Sequence, residues 1–219
     1  MRGECDIVNR PMTRRECLLE CIALGSLRLM PGLALAESVL AVESGERSAL
    51  LKPTPPNEIG PFYKQRAPNS VHLRAANDPG LPLSVTGRVL STRGDALAAA
   101  KVEIWQADHL GAYDLEGFRY RASLSSDATG SYSFDSVMPG HYPGRVCQHI
   151  HYVVTAPGHK RLVTQLYFAT DPAFEGNPDR NYTRDPIVMS RDLVRPVMLV
   201  GDPGAIHASV DFDVVLERL

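Results

Sequence analysis

A chain of 219 residues with 44% hydrophobic side chains is long enough to bury one substantial core. Its formal net charge of -2, with acidic and basic residues interspersed, forms no basic stripe and so gives nucleic-acid binding no electrostatic basis. No segment reaches the roughly 20 consecutive apolar residues of a membrane-spanning helix.

From Met12 the chain reads MTRRECLLECIALGSLRLMPGLALAES, a basic start, an apolar middle and a small-residue site at Ala34-Leu35-Ala36. Thr13-Arg14-Arg15 followed by Leu18 and Leu19 has the form of a twin-arginine export signal over residues 1–36. Glu20 and Arg28 interrupt its apolar part, so an amphipathic N-terminal helix is the competing reading, and Met1 and Met12 are both candidate starts. Export implies a periplasmic or extracellular protein; without it the expectation is cytoplasmic. Of the four cysteines only Cys147 lies beyond this segment, which rules out a disulfide framework and leaves a buried, inert thiol as the expectation.

Residues 37–56 form a linker whose prolines, Pro53, Pro55 and Pro56, prevent a helix and favour an extended chain. A single domain is expected over 57–219. Leu83 to Leu90 alternates into a strand, Ala100 to Ala107 forms the next, and Phe118 to Leu124 and Ser131 to Phe134 flank the turn Asp127-Ala128-Thr129-Gly130. Further strands are predicted at His149 to Ala156, Leu162 to Ala169 and Ser209 to Leu216, and the proline-rich stretch from Asp171 to Gly204 reads as a long loop covering a site. Short strands without a helical period between them indicate an all-β fold, an antiparallel sandwich with long loops and a short N-terminal extension.

The chemistry concentrates between Tyr113 and His151. On a strand, His149 and His151 present two imidazoles to one face. Imidazoles alone suit zinc, copper or iron, but the further donors nearby are the phenols Tyr113 and Tyr142 rather than thiolates or carboxylates. A phenol with a free pKa of about 10 is held as phenolate at neutral pH only by a strongly Lewis-acidic ion. That favours Fe(III), whose charge two phenolates and a hydroxide neutralise.

Several motifs in order carry a resemblance: GPFY from Gly60, VEIWQADHLGAYD from Val102, DATGSYSF from Asp127, MPGHYPGR from Met138, HIHY from His149, TQLYFATDP from Thr164 and VDFDVVL from Val210. Together they resemble the intradiol ring-cleavage dioxygenases, the family of protocatechuate 3,4-dioxygenase and catechol 1,2-dioxygenase, in a short single-domain form. The resemblance implies an enzyme that binds Fe(III) through Tyr113, Tyr142, His149 and His151, takes a small aromatic diol and O2, and releases Tyr142 as a proton acceptor when the diol binds. It also implies that Arg145 stabilises developing negative charge, that Gln165 lies near substrate and metal, and that Pro61 and Tyr63 line the aromatic pocket. Relatives often place the arginine three residues before the first histidine, whereas Arg145 precedes His149 by four, which puts its role in question. Trp105 reads as core, Asp108 and Asp114 as turn formers, and His109, His141 and His159 as solvated. Family members that self-associate make a homo-oligomer one expectation. The rival readings are a transthyretin-like binding sandwich without catalysis, and a zinc or copper site on the same scaffold.

Overall fold

The computed structural model describes residues 50–219, so the predicted export segment lies outside the described residues. The chain from 50 to 57 is extended and tied to the strands it crosses: Thr54 N donates to Val215 O at 3.0 Å, Asn57 N to Val163 O at 2.8 Å, and Thr164 Oγ1 to Pro55 O at 2.7 Å. Ten strands follow: β1 (Pro82–Ser91), β2 (Lys101–Gln106), β3 (Arg121–Ser125), β4 (Ser131–Val137), β5 (His149–Thr155), β6 (Leu162–Phe168), β7 (Val194–Arg195), β8 (Met198–Val200), β9 (His207–Asp211) and β10 (Val214–Leu216). No helix among the described residues is long and apolar enough to cross a membrane.

Two five-stranded sheets form a sandwich. One runs β3-β2-β5-β6-β7; in the other β1 pairs with β4, β9 and β10, and β8 closes an edge beside β9. Between the sheets, Tyr152 of β5 meets Tyr132 and Phe134 of β4 and Phe212 at ring distances of 6.4, 6.3 and 5.1 Å, in the middle of a core that includes Val85, Ile104, Leu166 and Val214. The expected antiparallel pairing holds for most of the ladder, but β1 runs parallel to β9 and β10, and β6 parallel to β7. Parallel neighbours need a long connection, and the segment after β6 supplies it.

The single strand expected at Ser209 to Leu216 is split in two. Asp213 turns its carboxylate onto Arg88 N at 2.7 Å in place of a ladder bond, while Phe212 N still reaches Thr86 O at 2.8 Å. The Phe212 carbonyl packs so closely on Gly87 that a β-carbon there would collide with it, and Tyr132 Oη donates to the same carbonyl at 2.5 Å. Gly87→Ala therefore forces two backbones apart, and urea unfolding is expected to show a loss on the order of 1–3 kcal/mol; an unchanged midpoint would contradict the close approach.

Candidate metal centre

Strand β5 lies between β2 and β6, and its register fixes which side chains share a face. His151 stands opposite Trp105 on one side and Gln165 on the other, and His149 opposite Tyr167. Cross-strand partners lie on one face of a sheet, so these five residues line the face turned away from the core, while Ile150, Tyr152 and Leu166 fill the core side. Trp105, expected in the core, is buried on this outer face instead; its ring lies parallel to the His151 imidazole, with centroids 4.8 Å apart and planes within 3°.

Two loops bring the phenols over this face. In the first, Asp108 Oδ1 accepts from Leu110 N and Ala112 N, both at 2.9 Å, and Asp114 accepts from Glu116 N, Gly117 N and Arg119 N at 2.8–3.0 Å, so the two aspartates form turns on either side of Tyr113. The second loop, between β4 and β5, carries Tyr142 and Arg145. The two cross at Gly111, where a β-carbon would collide with the His141 carbonyl, and Gly140 N donates to Asp108 O at 2.7 Å. His141 is exposed as expected, yet its Nε2 lies 3.1 Å from the buried Asp171, which also accepts from Gln148 N at 2.7 Å and so holds both ends of the Tyr142 loop.

All four proposed ligands meet here. The His149 and His151 rings are 4.8 Å apart, Tyr113 Oη is 3.4 Å from His149 Nε2, and the Tyr113 ring lies 6.4 Å from His151 and 5.8 Å from Tyr142. His149 Nδ1 bonds the Cys147 carbonyl at 2.8 Å, which leaves Nε2 facing the phenols. Cys147 itself is buried as expected, and burial pushes its thiol up to about 12.

Arg145 reaches the site despite its shifted spacing. Its Nη1 is 3.4 Å from His149 Nε2, and its Nη2 donates to Gln165 Oε1 at 3.1 Å and Tyr167 Oη at 3.0 Å. Asp185, fully buried, lies 3.5 Å from Arg145 Nε and holds the loop by accepting from Cys147 N at 3.2 Å. Gln165 combines the two readings offered for it: its amide nitrogen donates to Glu58 O at 2.7 Å, and its oxygen accepts from Arg145 and from Tyr167 Oη, the latter at 2.7 Å. Asn57 Nδ2 adds a bond to Tyr167 Oη at 3.1 Å.

In the GPFY segment, Pro61 is exposed and Tyr63 packs on Trp105 with its hydroxyl 3.4 Å from Glu103, whereas Phe62 covers the phenols. The Phe62 ring stacks on Tyr113 at 4.2 Å and meets Tyr142 edge-on at 5.5 Å. Sequence reasoning missed Phe62, Tyr167, Asn57 and Asp185. Tyr167 was within reach, because it follows Gln165 by two on one strand; Asn57 and Asp185 carry no local signal.

The donor set fits a hard, highly charged cation. Burial, reinforced by Arg145, lowers the His149 pKa to about 4, and burial together with His149 holds His151 well below the ordinary imidazole range, so both rings are neutral with lone pairs free. Burial raises the Tyr113 phenol above its ordinary value, so only a strong Lewis acid would hold it as phenolate. Among the described residues no three His, Cys, Asp or Glu side chains form a metal-binding group, so an ion at this site would draw on the phenols.

The family profile described as "Dioxygenase" matches residues 59–218. Catechol 1,2-dioxygenase 2 of Acinetobacter lwoffii is 36% identical over 166 residues, covering 63% of this chain and 56% of that protein. Hydroxyquinol 1,2-dioxygenase of Rhodococcus opacus is 31% identical over 188 residues, covering 72% of this chain and 62% of that protein. The chain thus spans less than two thirds of the length of these curated relatives. A solved dioxygenase domain, from a dioxygenase carbohydrate-binding protein fusion of the cellulolytic bacterium Streptomyces sp. SirexAA-E, superposes with a TM-score of 0.68 at 34% identity, covering 77% of this chain and all of that one. With the profile running through nearly the whole described sandwich and relatives agreeing in both sequence and fold, the chain belongs to the intradiol ring-cleavage dioxygenase family.

Proposed function

We propose that this protein is an Fe(III) dioxygenase that opens a catechol-type ring between its two hydroxylated carbons, with both atoms of O2 ending in a muconate-type diacid. The observation that carries the reading is the convergence of two neutral imidazoles and two phenols under the Phe62 ring. Bound iron(III) supplies the Lewis acidity that keeps phenols ionised and the electronic path that makes an ortho-diolate reactive toward O2.

The side chains divide the remaining work. His149 and His151 would hold the metal from a central strand, and Tyr113 from a loop braced by two aspartates. Tyr142 would be the phenol replaced by the diol, its Oη serving as acceptor for one diol proton. Arg145, aimed at the site by Asp185 and Tyr167, offsets negative charge that builds on the ring, and Gln165 fixes the second guanidinium nitrogen. Phe62 keeps water from the phenols.

Protein loaded with ferric iron is expected to bind one ion per chain, to show a visible phenolate-to-iron absorption band, and to consume O2 with a diol from a catechol panel. Stoichiometric zinc or copper in place of iron would favour the other metal reading, and a colourless protein with full iron occupancy would defeat the phenolate ligation. Tyr142→Phe should keep most of its iron while kcat falls by about 10²–10⁴, the range for loss of a positioned proton acceptor; unchanged turnover would remove Tyr142 from that role. For Arg145→Gln the expected loss in kcat is about 10²–10³ with iron content unaltered, measured by oxygen uptake alongside metal analysis. A variant as fast as wild type would assign the guanidinium to loop structure alone.

A further inference from the structure

Resting on the metal reading above, the surroundings of the two phenols are unequal in a way that the described mechanism does not use. Arg121, at the start of β3, is 3% exposed, and its guanidinium carbon lies 5.9 Å from the centre of the Tyr113 ring. Its Nη1 donates to Phe62 O at 2.5 Å and its Nη2 to Asp114 O at 3.1 Å, so it ties the segment bearing Phe62 to the turn that follows Tyr113. Its Nε is buried without a partner, and it makes no ion pair with any carboxylate among the described residues. Arg145, whose buried Nε likewise lacks a hydrogen-bond partner and whose charge also acts on Tyr113, differs in having Asp185 beside it at 3.5 Å. Withdrawing a guanidinium from water without an ion-pair partner in contact is costly. Tyr142 has neither a guanidinium over its ring nor a hydrogen bond to its hydroxyl among the described residues.

We propose that Arg121 is the fixed countercharge of the Tyr113 ligand, a positioning residue that makes Tyr113 the phenol that stays on the metal and leaves Tyr142 as the one that yields to the diol. A cation beside one phenolate makes its oxygen less basic than the other, so the proton released by an incoming diol goes to Tyr142, which would leave, and not to Tyr113. Two carbonyl anchors keep the guanidinium beside the Tyr113 ring, so the preference is built in before metal or substrate arrives.

The test uses iron-loaded protein and reads the visible band in two single-phenol backgrounds. In Tyr142→Phe, where Tyr113 is the remaining phenol ligand, adding Arg121→Met should move the band to longer wavelength and weaken iron binding by about 10–100-fold, the range for loss of a residue that supports a metal ligand. In Tyr113→Phe, where Tyr142 remains, the same change should leave the band in place. Arg121→Lys, which keeps the charge, should restore most of the band position in the first background. Equal shifts in both backgrounds, or none in the first, would overturn the inference, because a purely structural arginine does not distinguish the phenols. If Arg121→Met fails to fold, as judged by thermal unfolding of the metal-free protein, Arg121→Gln supports the same comparison, since it keeps a donor for the Phe62 carbonyl. An iron-loaded wild type without a visible band would instead overturn the parent reading, and this one with it.

Discussion

The centre depends on the register of β5 between its two neighbours. Side chains alternate across a strand, so a slip of one residue would turn His149 and His151 into the core and bring Ile150 and Tyr152 to the outer face. The core prevents that slip. Tyr152 is packed among aromatic rings from the opposite sheet, and its partner positions on β2 and β6 are Ile104 and Thr164. The same apolar contacts that stabilise the sandwich therefore aim the imidazoles.

What the strand fixes on one side, the loops must match on the other. Neither phenol lies on a strand, and a loop holds a side chain within a fraction of an ångström only when its backbone polar groups are satisfied locally. Asp108 and Asp114 do this for Tyr113, and Asp171 does it for the Tyr142 loop. Gly111 then lets the two loops touch backbone to backbone. These aspartates thus set loop geometry, Asp171 from a buried position and Asp108 and Asp114 from half-buried ones.

Much of this architecture was legible in the sequence, and the parts that were not have a common cause. The strands follow from alternation and turn residues, and the histidine pair from period two, because both are local patterns. The split between β9 and β10 was invisible: it arises from Gly87 and Tyr132, far away along the chain, meeting the Phe212 carbonyl. Asn57 and Asp185 were hidden for the same reason, since each acts on a residue more than 35 positions away, Asn57 on Tyr167 and Asp185 on Arg145. Arg145 shows the converse. Counting residues put its role in doubt, yet the guanidinium is placed by Asp185, Tyr167 and Gln165, and a long side chain on a loop absorbs one extra residue.

Charge balance connects these observations. Neutral imidazoles bring no charge to the centre, so an ion of high charge would have to be met by phenolates. The fold supplies two guanidiniums at different depths and in different states: Arg145 beside a carboxylate, and Arg121 with backbone carbonyls only. A paired cation offers directed N–H donors with its field partly cancelled, which suits a group that must respond to charge appearing transiently on a bound ring. An unpaired one projects its full field continuously, which suits a group that must hold one ligand fixed throughout turnover. The two arginines therefore differ in the company each keeps, and the aspartate that makes the difference lies in the long loop after β6.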